Sequence, residues 1–171
     1  KKKKMKKILA FSIVLFAFTA GAFAQSATAT ATATIVTPLS ITHVTGTDTE
    51  LSFGNIIADA DGGTVVISPA GAQTLTGLTA PSIPGTISAA SFTVTGMDGA
   101  TYAITLPGSH TISSGGNNMT VDNFSSNPSG TGTLTGGTQA LSVGARLTVG
   151  SAQAAGTYTN AAGFTVTVNY N

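Results

Sequence analysis

The chain has 171 residues, no cysteine, only 8% charged residues and a formal net charge of +1. Without cysteine there is no disulfide, no thiolate metal site, no cysteine nucleophile and no lipid-bearing cysteine of the bacterial lipoprotein kind. The charge is unevenly placed: Lys1–Lys4, Lys6 and Lys7 are six of the seven cations, and Arg146 is the other.

Residues 1–24 have the layout of a secretory signal. A basic start is followed by an apolar stretch from Ile8 to Phe18 and the small-x-small end Ala22-Phe23-Ala24. The apolar run is short for a bilayer span, so cleavage after Ala24 and export are expected, through the periplasm to the cell surface or medium. Cleavage also disfavours assembly by a retained apolar N-terminal helix, as in type IV pilins. The remaining 147 residues carry a formal charge of −5. One cation cannot displace many phosphate counterions, which excludes nucleic-acid binding, and binding to anionic membranes fails for the same reason. The exported part has no lysine, so lysine–asparagine cross-links of the kind found in some surface pilins cannot form.

Threonine makes up about a fifth of the exported chain and, with valine and isoleucine, favours pleated surfaces over helices. Period-two runs recur, and no 3.6-residue apolar period holds after Gln25. In chain order the expected strands are 27–36, 39–44, 50–56, 64–68, 73–76, 90–96, 101–106, 119–124, 139–150 and 164–170. A hairpin is expected across Met97-Asp98-Gly99-Ala100, because Asp-Gly tolerates positive φ. "SSGGNN" (113–118) and residues 125–138 read as loops. About seven to ten short strands with turns at roughly ten-residue spacing predict an all-β fold, an immunoglobulin-like two-sheet β-sandwich, with a closed β-barrel as the alternative. The expected organisation is a signal at 1–24, an extended arm at 25–37 and a sandwich domain at 38–171.

The most biased stretch is "SATATATATIV", residues 26–36, with no charge and no glycine. It reads either as an ordinary first strand or as a donor that completes a sheet in another subunit, with Ala29, Ala31, Ala33 and Ile35 on one face. Alanine methyls bury little area, so such a donor requires a shallow groove. The closing run "GFTVTVNYN" places Phe164, Val166, Val168 and Tyr170 on one face of a strand. If a sandwich lacks the strand beyond it, that face is an acceptor edge, and each large side chain left wet costs about 1.5–3 kcal/mol.

From Leu51 onwards, "LSFGNI", "GGTVVISPAGAQTLTG", "SFTVTGMDGATYAITLP", "MTVDNFSSNPSG", "GTLTGGTQALSVGARLTVG" and "AGTYTNAAGFTVTVNYN" resemble a secreted bacterial domain-of-unknown-function family, number four-four-zero-two. More distantly, "GTYTNAAGFTVTVNY" is similar to the C-terminal motif of chaperone–usher pilins and spore-coat-U-like subunits. That resemblance implies an immunoglobulin-like fold missing its last strand, with residues 27–36 as donor and Tyr170 and the 164–168 face in the acceptor edge. It also implies partners: other copies or related subunits, a periplasmic chaperone and an outer-membrane usher.

His43 and His110 are far apart in sequence and have no acid at metal-ligand spacing. "DADGG" (59–63) starts like a calcium loop but lacks the later oxygen ligands and closing glutamate, so a solvated turn is expected. No nucleophile elbow or phosphate loop occurs. Arg146 is a candidate for an ion pair, a subunit contact or plain solvation. No cofactor and no enzymatic activity are expected. The expected function is a structural subunit of a surface fibre or pilus, and the alternative is a self-contained extracellular adhesion or binding module.

Overall fold

A computed structural model describes residues 24–171, so the expected signal lies outside the described residues except for Ala24. The chain divides into two units, Lys1–Ile35 and Val36–Asn171. In the first, residues 24–35 are exposed and form no strand. This corrects the strand expected at 27–36: the alternation is there, but its small side chains give no apolar face large enough to hold it in place.

All regular structure among the described residues is strand: β1 (Ser40–His43), β2 (Ser52–Phe53), β3 (Gly63–Ile67), β4 (Gln73–Thr76), β5 (Ile87–Ser88), β6 (Ala90–Thr95), β7 (Thr101–Thr105), β8 (Ser109–Ser114), β9 (Asn117–Asn127), β10 (Thr131–Thr133), β11 (Thr138–Val149) and β12 (Thr167–Tyr170). The fold is all-β and sandwich-like. One sheet has seven strands, with the path β1-β6-β11-β3-β4 and β9 and β8 joined to it through β11; a second runs β10-β7-β12, and β2 pairs with β5. Every pairing is antiparallel.

β11 organises the large sheet. Its residues Thr138–Val143 pair with β6 and Ala145–Val149 with β3. β9 pairs across both stretches, from Ser142 to Thr148, so β6 and β3 share one edge of β11 and β9 takes the other. The change of partner falls at Gly144, where a Cβ would run into the Ile67 carbonyl, so glycine lets the two neighbours fork. Opposite the fork, β9 carries an extra residue, and Asn123 there takes φ +47°. Period two places Leu141, Val143, Ala145, Leu147 and Val149 on one buried face of β11.

That face supports two cores. Over β6 and the first half of β11, the small sheet forms a roof: Tyr102, Leu134 and Val166 pack on Ala90, Val94, Leu141 and Val143. Tyr102 is fully buried and donates its hydroxyl to Gln139 Oε1 at 2.8 Å; burial raises its pKa. Over β3 and the second half of β11, the other core gathers Phe53, Val65, Ile67, Val121, Leu147 and Val149.

Three local expectations are corrected. Residues 125–138, read as a loop, hold the end of β9 and all of β10. The turn at 97–100 forms, with Ala100 N–H donating to the Met97 carbonyl at 3.2 Å, but it is not a hairpin. β6 lies in the large sheet and β7 in the small one, so the turn carries the chain between layers. Its Asp98 carboxylate accepts the N–H groups of Gly136 and Gly137 at 2.7 and 3.3 Å, tying it to the loop before β11 instead of to a ladder. "SSGGNN" is not a loop but the tip of the β8–β9 hairpin, turning on Gly115 and Gly116 at φ +55° and +88°.

Candidate functional site

An open cleft of about 1160 Å³ lies over the second core. Its floor is apolar: Ile112 from β8, Met119 and Val121 from β9, and Leu147 and Val149 from β11. These residues share the inward face because the strands are in register, with Ile112 opposite Met119 and Val121 opposite Leu147.

Two largely irregular segments, 50–58 around the short β2 and 153–160, form the walls. Each is tied to structure behind it. On the first, Asn55 N–H donates to the Pro84 carbonyl at 2.6 Å and Ile57 N–H to that of Thr79 at 3.2 Å, while the Ser88 hydroxyl donates to the Glu50 carbonyl at 2.6 Å. On the second, Thr159 and Ser113 exchange backbone bonds at 3.0 and 3.1 Å, and Asn160 Nδ2 donates to the Thr111 carbonyl at 2.9 Å. Gln153 donates to the Tyr158 hydroxyl, which donates to the Ala154 carbonyl, at 2.9 and 2.7 Å. Among the described residues no hydrogen bond joins 50–58 to 153–160. The flanking chain meets just beyond the cleft, where the Ser151 hydroxyl donates to the Ala60 carbonyl and Ala152 N–H to that of Asp59 at 3.4 Å.

The other end is aromatic. Phe164 stands against Phe124, Phe92 and His110 with ring centroids 5.0, 6.3 and 6.4 Å away, and Phe92 meets His43 edge-on at 5.3 Å. Both histidines therefore line one cleft, which their separation in sequence gave no reason to expect. His43 Nε2 is 3.2 Å from the Thr49 carbonyl and 3.6 Å from the Glu50 carboxylate.

Of the four residues expected at an acceptor edge, Phe164 lines the cleft. Val166 is buried on the inner side of the roof, and Val168 and Tyr170 lie in β12 opposite Ile104 and Tyr102. β12 is an edge of the small sheet. Asn171 N–H donates to the Thr101 carbonyl at 3.3 Å, so by alternation the main-chain groups of Val168 and Tyr170 point away from β7. The Tyr170 hydroxyl donates to the Thr37 carbonyl and accepts Met97 N–H. Ala29, Ala31, Ala33 and Ile35 are exposed, Ile35 at 98%. The walls and floor were not legible in the sequence, although "GTYTN" (156–160) and "LSFGNI" (51–56), which carry part of the family resemblance, lie in the two walls.

Arg146 resolves as an ion pair on the outer face of the sheet. Its Nε and Nη2 donate to the two carboxylate oxygens of Asp122 at 2.8 and 2.9 Å, in direct cross-strand register. The guanidinium's hydrogen bonds hold the Asp122 pKa below the usual aspartate value and raise that of Arg146. "DADGG" is a turn closed by Gly62 N–H on the Asp59 carbonyl at 3.1 Å, with the Asp59 carboxylate accepting the Thr79 hydroxyl at 3.2 Å. Among the described residues no three metal-ligating side chains cluster.

Residues 39–170 match the family described as Domain of unknown function (DUF4402). The chain belongs to the DUF4402 family. No curated protein and no solved structure matches it. The DUF4402 span takes in both cores and the cleft, and starts after residues 24–38.

Proposed function

We propose that this DUF4402 chain is a non-enzymatic structural subunit of a bacterial surface fibre, built by strand exchange. Residues 27–36 of one copy lie in the cleft of the next. The observation that carries this reading is the cleft itself: an apolar floor between two walls that are each bonded to structure behind them and not to one another. An extended segment between such walls adds main-chain hydrogen bonds, and its alternate side chains cover the floor. The volume of about 1160 Å³ exceeds the roughly 300–1,000 Å³ of ordinary small-molecule sites. The arm has no charge to desolvate, and its small alternating side chains would lie over a floor in which Ile112 and Met119 are partly buried. Head-to-tail contacts of this kind generate filaments because the interface need not close on itself. Export through the signal at 1–24 fits this role, with a periplasmic chaperone shielding the cleft in transit and an outer-membrane usher as the assembly site.

The test compares residues 25–171 with residues 37–171. The longer chain polymerises and the shorter stays folded and monomeric. A peptide of residues 25–36 stabilises the shorter chain by about 2.7 kcal/mol at a hundredfold excess over its Kd. A longer chain that stays monomeric at every concentration, with no response to the peptide, overturns the proposal. The grouping of His43, Glu50, His110 and Asn160 around the aromatic end supports a second reading, a binding module for glycans or surface protein. That reading predicts no peptide effect and a thermal shift with oligosaccharides instead.

A further inference from the structure

The Tyr170 hydroxyl sits where three parts of the chain converge. It donates to the Thr37 carbonyl at 2.8 Å and accepts Met97 N–H at 2.7 Å. Thr37 precedes Pro38, whose ring fixes φ and whose nitrogen has no hydrogen to donate. Leu39, next along, packs into the core under the roof. Met97 opens the turn between β6 and β7, which Asp98 fixes to Gly136 and Gly137. Gly96 leaves room for the phenol: a Cβ there would overlap the Tyr170 hydroxyl and crowd Leu39 and Leu134. One hydroxyl thus joins the last strand, the turn between the sheets and the residue at which the chain enters the body.

We infer that Tyr170 is a clasp that fixes the root of the N-terminal arm, and so a positioning residue for strand exchange. Without the hydroxyl, Thr37 has no side-chain tether to β12 and Met97 N–H loses its partner. Pre-organising a binding segment reduces what must be ordered when it docks, so a fixed root favours delivery of the arm to a neighbouring copy. The consequence for assembly rests on the fibre reading, whereas the clasp is a property of the single chain and is measured there.

Because the chain has no cysteine, Val36→Cys gives a unique attachment point for a nitroxide, and Val36 is half exposed. In residues 25–171 carrying Tyr170→Phe, the label is expected to become more mobile, approaching one placed at Ala31→Cys. Exchange of the Met97 amide is expected to rise about tenfold, the loss of one hydrogen bond, while Tm falls by no more than about 5 °C. Gly96→Ala, which keeps the ring and displaces the hydroxyl, should shift both readouts the same way and carries the test if Tyr170→Phe does not fold. A label equally ordered in parent and variant, or an equally protected Met97 amide, overturns the clasp. Slower polymer growth in Tyr170→Phe extends the result to the fibre; a parent that never polymerises sinks the fibre reading and leaves the label result intact.

Discussion

The two halves of β11 present the same kind of inward face to different covers. Leu141 and Val143 meet a hydrogen-bonded roof in which Tyr102, Leu134 and Val166 interlock with them. Leu147 and Val149 are nearly as buried, beneath Phe53 and the segments 50–58 and 153–160 that line the cleft. One strand thus runs from under a hydrogen-bonded sheet to under largely irregular chain, and Gly144 marks the boundary. An irregular cover is tolerated where neighbouring strands already satisfy the main chain of the layer beneath, as β9 and β3 do here.

Substitutions on the two sides should separate these regimes. Leu141→Ala leaves a cavity under a roof that cannot collapse, and should cost about 3 kcal/mol, read as a drop of roughly 10 °C in Tm. It should leave the affinity of the 25–36 peptide for residues 37–171 unchanged. Met119→Ala, on the half-buried floor, should cost about 1 kcal/mol in the free protein because the cleft can relax and wet. It should weaken peptide binding several-fold by calorimetry. Equal losses of stability from the two, or equal effects on the peptide, would mean that both halves are closed cores.

The smallest effect belongs to the outer face. The Asp122 pKa is lowered from its ordinary value of 3.8, so the carboxylate's contribution is fully present above about pH 4 and is lost as pH falls through the lower folded value. Asp122→Asn should lower Tm by about 2 °C at pH 7, and the difference should vanish on acidification towards pH 2. Because the pair is partly exposed, high salt should shrink the same difference, which melting curves at two ionic strengths would register.

Nine expected strands from residue 39 onwards correspond to β1, β2, β3, β4, β6, β7, β9, β11 and β12, where β-branched and large apolar residues recur at alternate positions. β8 was missed because Ser-His-Thr-Ile-Ser-Ser offers one aliphatic inward residue, Ile112, and two-residue β5 is too short for a period. The arm was over-read as a strand for the converse reason, since alternation without bulk satisfies the pattern and not the energetics. Which strands pair was not legible: the Asp98-Gly99 turn is locally suited to a hairpin, and only the distant N–H groups of Gly136 and Gly137 redirect it. The cleft was legible in part. Phe164 carried the right face, but that 50–58 and 153–160 stand opposite each other depends on contacts of long sequence separation.

Arg146 has one more consequence. It is the only lysine or arginine in residues 25–171, and it lies within a twelve-residue strand flanked on both edges, with its side chain engaged by Asp122. Trypsin-like proteases, which cut after basic residues at extended, accessible backbone, have a single candidate bond in this region, and reaching it requires opening the central sheet. Residues 25–171 are thereby shielded from a whole class of digestive enzymes by composition and by the placing of one side chain.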